Sequence, residues 1–226
     1  MTNNETLTSF CITKIRDLIL SGELPPGARI KGDYLKNYLS VGLSPIREAL
    51  SRLVHSNLVE FTDNVGFKVP ELTVDKVHDT YKSYAKIETL VFREAIENGS
   101  ETWESGVMAE LYRLSKIEVD GIKAPYQAWS IRNEDFHEAL INGCSLEGLK
   151  QVRKHFINIK NWYHSLAYRN SYDEQIEVNH AEHSKLAKLA IARKTDAASF
   201  LLYTHTMHSI PSLISKLKNH GYLSDK

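Results

Sequence analysis

The sequence is poor in cysteine and has no dominant charge. Its 226 residues include only two cysteines, Cys11 and Cys144, which lie far apart and outside any Cys-x-x-Cys pair. This usage predicts a reducing compartment and argues against a disulfide framework or a thiolate metal site. Lys+Arg and Asp+Glu both number 28, so the formal net charge is zero. We expect no strong general attraction to nucleic acid, although a neutral protein can carry a local basic face.

The sequence has no long hydrophobic run, and we expect no targeting segment. Residues 1–5 have neither the basic nor the apolar region of a signal peptide, and no apolar run approaches the length of a membrane-spanning helix. Hydrophobic residues make up 42% of the chain and charged residues 25%, an ordinary globular composition. We therefore expect a soluble, cytoplasmic protein with no membrane partner.

The segment 44–53, SPIREALSRL, predicts a helix with a solvent-facing start. Ser44 is the expected N-cap, and Pro45 would occupy the first helical position, where its missing N–H costs nothing. Apolar residues recur on one face at helical spacing, which leaves a polar face that includes Arg47. Such a helix suits the major groove of DNA, but many solvated surface helices share the pattern.

The surrounding residues predict a winged helix-turn-helix over residues 1–70. Two helices precede the polar-faced helix, and a tight connection at 40–43 joins the second of them to it. Two short β-forming runs follow, with Asn and Gly between them, which is typical of a hairpin. The predicted bounds are 6–21 and 32–39 for the helices, and 58–62 and 67–69 for the strands.

After a linker at 71–74, residues 75–226 predict an all-helical domain. Helical periodicity gives six helices in an antiparallel bundle. Polar or glycine-containing breaks separate them, including those at 120–121 and 169–171. The predicted helices are 75–98, 101–119, 125–142, 146–168, 173–193 and 195–219.

Taken together, these motifs resemble the GntR family of bacterial transcription regulators. The resemblance is carried by Leu24-Pro25-Pro26-Gly27, by the segment 44–50, by the glycine hairpin and by the all-helical second half. The second half resembles the FCD (FadR C-terminal domain) subgroup in its VanR-like form, and nearly the whole chain resembles the carbon-starvation-induced regulator type. The residues that carry these two likenesses include Val41-Gly42, Trp103-Glu104, 114–118, Trp129, Asn133, Phe136-His137, Gly143-Cys144, Glu182-His183, His205 and Ile210-Pro211.

The resemblance implies a homodimer, built largely through the helical domain, that binds double-stranded operator DNA at two related half-sites. A ligand in the helical domain would change how the two winged helices are spaced. Ser51 and Arg52 share the polar helix face, where Arg52 is either a phosphate contact or a surface charge. The full candidate set for DNA binding is Ser44, Arg47, Ser51, Arg52, Asn64, Gly66 and Lys68.

Two departures from the family pattern reduce the supply of basic residues. Gly42 and Leu43 stand where members usually carry a serine-arginine pair, and Asp33 stands where some carry a basic residue. Residues 1–70 contain eight Lys+Arg and seven Asp+Glu, a net charge of +1. We expect an unusual operator sequence and modest non-specific affinity, because phosphate neutralisation supplies most of the non-specific binding.

Histidines on three predicted helices form a second candidate site. Asn133 and His137 are four residues apart and share one helix face, while His183 and His205 lie on the last two long helices. Three imidazoles and one oxygen suit Zn²⁺ or a similar divalent ion. The resemblance implies the same set with an aspartate in place of Asn133, and an uncharged amide is the poorer ligand. The alternative is a polar, hydrogen-bonded pocket without metal.

The subgroup resemblance also implies a small carboxylate effector beside these residues, since a carboxylate needs a cation or a metal to meet its charge. Arg132 and Arg153 are candidate clamps. Members often carry an arginine four residues before the position of Glu88, but here that residue is Tyr84, which brings one hydrogen-bond donor and no charge. The candidate effector-binding residues are Tyr84, Arg132 and Arg153.

Three functions are compatible with these features. The leading one is a ligand-responsive transcriptional regulator, expected to be a repressor, with a carboxylate effector and a divalent metal. In the alternative, the metal itself is the signal. A metallohydrolase is disfavoured because Glu134, Asp135 and Glu182 rotate off the histidine faces and offer no general base. A hydrolase would also have no use for a winged helix, so the chain is not expected to be an enzyme.

Overall fold

A computed structural model describes residues 6–119, 126–168 and 176–223. It confirms the predicted fold class, since the described chain is mainly helical with one two-stranded antiparallel sheet. No helix among these residues is long and apolar enough to cross a membrane. The elements are α1 Leu7–Leu20, α2 Gly32–Leu39, α3 Leu43–His55, β1 Glu60–Thr62, β2 Gly66–Lys68, α4 Val74–Asn98, α5 Glu101–Glu118, α6 Tyr126–Ile141, α7 Glu147–Tyr168, α8 Ile176–Ile191, α9 Thr195–His208 and α10 Ile210–Asn219.

The chain divides into two compact units. The first comprises Met1–Val77, Asn158–Ala167 and Ile214–Lys226, and the second comprises His78–Ile157 and Tyr168–Leu213. The domain limits expected from sequence, 1–70 and 75–226, remain predictions.

In the first unit, α1 and α3 pack through their apolar faces and support a short hairpin. Cys11 and Ile15 of α1 and Ile46 and Leu50 of α3 are almost fully buried. In the hairpin, Phe61 of β1 pairs with Phe67 of β2. Positive φ angles at Asn64 (62°) and Gly66 (90°) let the chain reverse between the strands. This order of elements is the predicted winged helix-turn-helix.

The predicted start of α3 is wrong by two residues. The helix begins at Leu43, with Gly42 as its N-cap and no side-chain capping bond. The prediction failed because every N–H in the first turn lacks an intrahelical acceptor, so Pro45 is tolerated at the third helical position and does not mark the first. Ser44 therefore lies inside the exposed first turn and does not cap it.

Most helices predicted for residues 75–226 are present, but the last one is divided. Residues predicted as a single helix, 195–219, form α9 and α10 with a break at Ser209. Pro211 explains the break, because it has no N–H to donate to a preceding turn and fits best at the start of a new helix. The predicted breaks at 120–121 and 169–171, and the start of the predicted helix 173–193, lie outside the described residues.

The turn between α6 and α7 lies directly against the end of α4. A Cβ atom added to Gly143 would lie 2.7 Å from the carbonyl oxygen of Ala95 and 3.0 Å from the Cα of Gly99. Both neighbours are backbone atoms, so no side chain can rotate away to make room. Glycine is therefore required here by close packing.

Replacing Gly143 with alanine should lower the free energy of unfolding by about 1–3 kcal/mol, the usual cost of overpacking. Gly106 provides the matched control, because it lies within α5 and its added Cβ would meet no atom within 4 Å. Gly106→Ala should raise stability by about 0.5–1 kcal/mol, since alanine is the better helix former. Urea unfolding followed by circular dichroism measures both changes. Equal effects of the two substitutions would contradict the packing argument.

Candidate DNA interface and metal centre

The outer face of α3 carries the candidate DNA-reading residues. Ser44, Arg47, Ser51 and Arg52 are all exposed, on the side opposite the buried apolar stripe. Arg47 makes no hydrogen bond or ion pair with any residue in the described part of the chain. Arg52 instead donates to Glu48 over 2.6 Å. Arg47 is thus the arginine of α3 that is ready to bind a base edge without first exchanging a partner.

The hairpin presents a polar tip with little available charge. Asn64 is exposed at the turn, and Gly66 lies two residues later. The ammonium of Lys68 lies 3.2 Å from Glu60 and 3.6 Å from Glu71, and the hydrogen bond and charge of Glu60 raise the pKa of Lys68. To bind a phosphate, Lys68 would have to leave these carboxylates, so Asn64 is the more accessible contact.

The second candidate site is a cluster of three histidines from three helices. His137 of α6, His183 of α8 and His205 of α9 each offer a ring nitrogen, and these atoms lie within 4.8 Å of one another. Ring centroids are 5.6 Å apart for His137 and His183, and 4.8 Å apart for His183 and His205. The structure therefore brings together the three imidazoles that the sequence suggested.

Buried side-chain atoms without a hydrogen-bond partner among the described residues include two from the candidate ligands Asn133 and His183. They are Nε2 of His183 and Oδ1 of Asn133, which lies one helical turn before His137. Buried polar atoms are nearly always satisfied, so an exception calls for an explanation. Both atoms have lone pairs, and a set of three nitrogens and one oxygen matches the ligands of Zn²⁺. The residues present therefore fit a divalent metal ion.

Two carboxylates lie behind the histidines. Glu118 of α5 is within 3.0 Å of Nδ1 of His183, and Glu182 of α8 is within 2.6 Å of Nδ1 of His205. Because a carboxylate can only accept, each contact places the proton on Nδ1 and leaves Nε2 with its lone pair. Burial lowers the pKa of His183, which favours its neutral form, and the hydrogen bond from His205 lowers the pKa of Glu182.

The sequence reasoning missed both carboxylates. Glu182 is expected from sequence to point away from the histidines, because it does not share the helix face of His183. In the structure its carboxylate instead contacts His205 on the next helix. In the sequence, Glu118 stands out only as the last residue of the segment 114–118 that carries part of the family resemblance. It follows Leu111 and Leu114 on the buried face of α5, and a glutamate at a core position is the signal that could have identified it.

The predicted effector residues occupy different environments. Tyr84 is buried and hydrogen-bonded to Glu88, and burial followed by the charge of Glu88 raises its pKa. The buried guanidinium of Arg153 contacts both Glu88 and Glu138. Arg132 lies on the surface, where it donates to Asp135 over 3.3 Å. A role for Tyr84, Arg132 and Arg153 in effector binding stays a prediction.

Two family models match the chain. Residues 7–69 match the model of bacterial regulatory proteins of the gntR family, and residues 79–208 match the FCD domain. The first range covers α1 to β2, and the second contains the histidine cluster.

Individual proteins match over most of the chain. The HTH-type transcriptional repressor GlaR of Escherichia coli is 29% identical over 87% of this chain and 91% of its own length. BphR of Paraburkholderia xenovorans, described as an HTH-type transcriptional regulator, is 29% identical over 98% of this chain and 89% of its own length. Among solved structures, E. coli McbR/YncC superimposes with a TM-score of 0.71 at 19% identity, over 93% of this chain and 98% of that one. This last similarity shows the shared fold.

Proposed function

Because the chain belongs to the gntR family of bacterial regulatory proteins and carries the FCD domain, we propose that it is a ligand-responsive repressor. In this proposal the second unit holds a divalent metal ion and a small carboxylate. Membership makes the chain a DNA-binding transcriptional regulator and not an enzyme. The repressor assignment is suggested by GlaR, a relative with that activity in its name.

The metal is supported by the three clustered imidazoles and by the unsatisfied buried atoms Nε2 of His183 and Oδ1 of Asn133. Asn133, His137, His183 and His205 would hold the ion. When bound, Zn²⁺ would supply a Lewis-acidic position that accepts a carboxylate oxygen. The four protein ligands carry no net charge when the imidazoles are neutral, so an anionic effector would find an uncompensated positive charge.

The DNA-binding part of the proposal uses α3 and the hairpin. Arg47 and Asn64 are the exposed groups in the first unit that are best placed for base and backbone contacts. We infer a homodimer on an operator with two half-sites, in the cytoplasm where such DNA is found. Effector binding would alter operator affinity by shifting the population of one dimer arrangement.

Purified protein should contain about one zinc or similar ion per chain, since each chain supplies a complete set of ligands. His205→Ala removes one ligand from a half-buried position and should lower metal affinity at least about tenfold. His78→Ala, a change on the exposed side of α4, should have no effect. Elemental analysis and chelator competition provide the measurements. Protein without stoichiometric metal after zinc loading would reject this part of the proposal.

One observation favours the alternative in which the metal is itself the signal. Among the described residues, the buried guanidinium near the cluster, Arg153, is already paired with two carboxylates, and Tyr84 brings no charge. A carboxylate effector would therefore depend on the metal for its counter-charge. Operator affinity that follows free Zn²⁺ in the absence of any organic acid would support the alternative, whereas a requirement for the acid would support the leading proposal.

A further inference from the structure

We propose that Glu118 and Glu182 are positioning residues of the metal centre, and that they supply the negative charge which Asn133 does not. Each carboxylate accepts from Nδ1 of one ligand histidine and so fixes the tautomer that leaves Nε2 for the ion. This inference rests on the proposed metal site and deepens it, because it assigns the charge balance of that site to residues outside the ligand set.

Glu118 provides the strongest observation. Its side chain is completely buried, and it lies within hydrogen-bond distance of Nδ1 of His183 (3.0 Å), Nδ1 of His180 (3.1 Å) and Nε1 of Trp129 (3.0 Å). In the described parts of the chain, its ion-pair partners are histidines and include no lysine or arginine. Buried charges in proteins are paired or coordinate metals. Here the Glu118 carboxylate would interact with the proposed ion indirectly, through the imidazole of His183.

Glu182 of α8 likewise contacts two histidines, and both belong to α9. It lies 2.6 Å from Nδ1 of His205 and 3.5 Å from Nδ1 of His208, with about a fifth of its side chain exposed. His180 and His208, which are not ligand candidates, thus bind the same carboxylates as the ligand histidines.

The third histidine, His137, has a different carboxylate neighbour. Nδ1 of His137 is 3.8 Å from Glu88, which is beyond hydrogen-bond range, and Glu88 is already paired with Arg153. Two of the three ligand histidines are therefore backed by a carboxylate. A carboxylate behind a ligand imidazole fixes its orientation and raises its basicity, so two such pairs offset the loss of one charged ligand.

The test is zinc affinity of the full chain, measured by competition with a chromophoric chelator. Glu182→Gln and Glu118→Gln should each weaken Zn²⁺ binding about 10- to 100-fold, as expected for partners of this kind. Glu104→Gln is the matched control, because Glu104 pairs with Arg193 in the same unit and contacts no ligand histidine. The partly exposed Glu182 keeps the test valid if loss of the buried Glu118 prevents folding, which circular dichroism of metal-free protein would reveal.

Rescue separates a charge effect from a merely structural one. Asn133→Asp restores a negative ligand, so in the Glu182→Gln background it should recover most of the lost affinity. The Co²⁺-loaded protein should show a visible absorption band that shifts in Glu182→Gln. Wild-type protein that binds Zn²⁺ tightly, with glutamine variants that match the control, would overturn this inference and leave the metal site standing. Wild-type protein that binds no Zn²⁺ would instead overturn the metal part of the proposed function.

Discussion

Alanine in place of Arg47 should weaken operator binding by about 1–3 kcal/mol per half-site, the value of one good base contact. For a dimer on two half-sites this is a loss of roughly 30-fold or more. The reason is that Arg47 is exposed on the reading face of α3 and has no partner among the described residues. With glycine and leucine where the family's serine-arginine pair stands, α3 has no second unpaired arginine to compensate.

Arg52→Ala serves as the control for that measurement. Arg52 lies on the same helix but is paired with Glu48, so its loss should reduce affinity less and equally for all DNA sequences. Titration of fluorescently labelled operator and of scrambled DNA, at several salt concentrations, distinguishes the two variants. If Arg47→Ala and Arg52→Ala weaken both DNAs to the same extent, Arg47 does not read bases.

Methionine in place of Arg153 should lower the free energy of unfolding of the second unit by about 3–5 kcal/mol. Glu88 is 1% exposed, and Arg153 is its basic partner within the described residues. Removing the guanidinium leaves a buried carboxylate that has lost its arginine and has almost no access to water. Tyr84 offers that carboxylate one hydrogen bond but no charge.

The double variant Arg153→Met/Glu88→Gln tests whether charge is the cause. With both charges removed, most of the lost stability should return, because replacing a whole buried pair is often close to neutral. Chemical unfolding of the single and double variants on metal-free protein provides the comparison. If the double variant is as unstable as Arg153→Met, packing of the arginine side chain, and not its charge, accounts for the loss.

The sequence was sufficient for the winged helix because its signals are local. Helical periodicity, the residues at the hairpin turn and the break after α2 each depend on neighbours within a few positions. The same reasoning misplaced the start of α3, because proline is compatible with several positions in a first turn. It also missed the break at Ser209, where an apolar pattern continues across Pro211.

The histidine cluster could be suggested from sequence, but its surroundings could not. Spacing places Asn133 and His137 on one helix face, and the resemblance to the FCD subgroup adds His183 and His205, so a shared site is a natural hypothesis. Which carboxylate lies behind each ring depends on the rotation of α5 and α8 against their neighbours, and no spacing within one helix determines that. For the same reason, the pairing of Arg153 with Glu88, 65 residues away in sequence, was not predicted.

The contact between Tyr84 and Glu88 limits which substitutions this buried cluster can accept one at a time. An arginine at position 84 would meet a carboxylate that already binds Arg153. The other carboxylate bound to Arg153, that of Glu138, is half exposed, so the two guanidinium groups would compete for the buried Glu88. Replacing Arg153 at the same time would remove this competition, whereas the loss of Arg153 alone is expected to be costly. We therefore expect substitutions at positions 84 and 153 to have non-additive effects on stability.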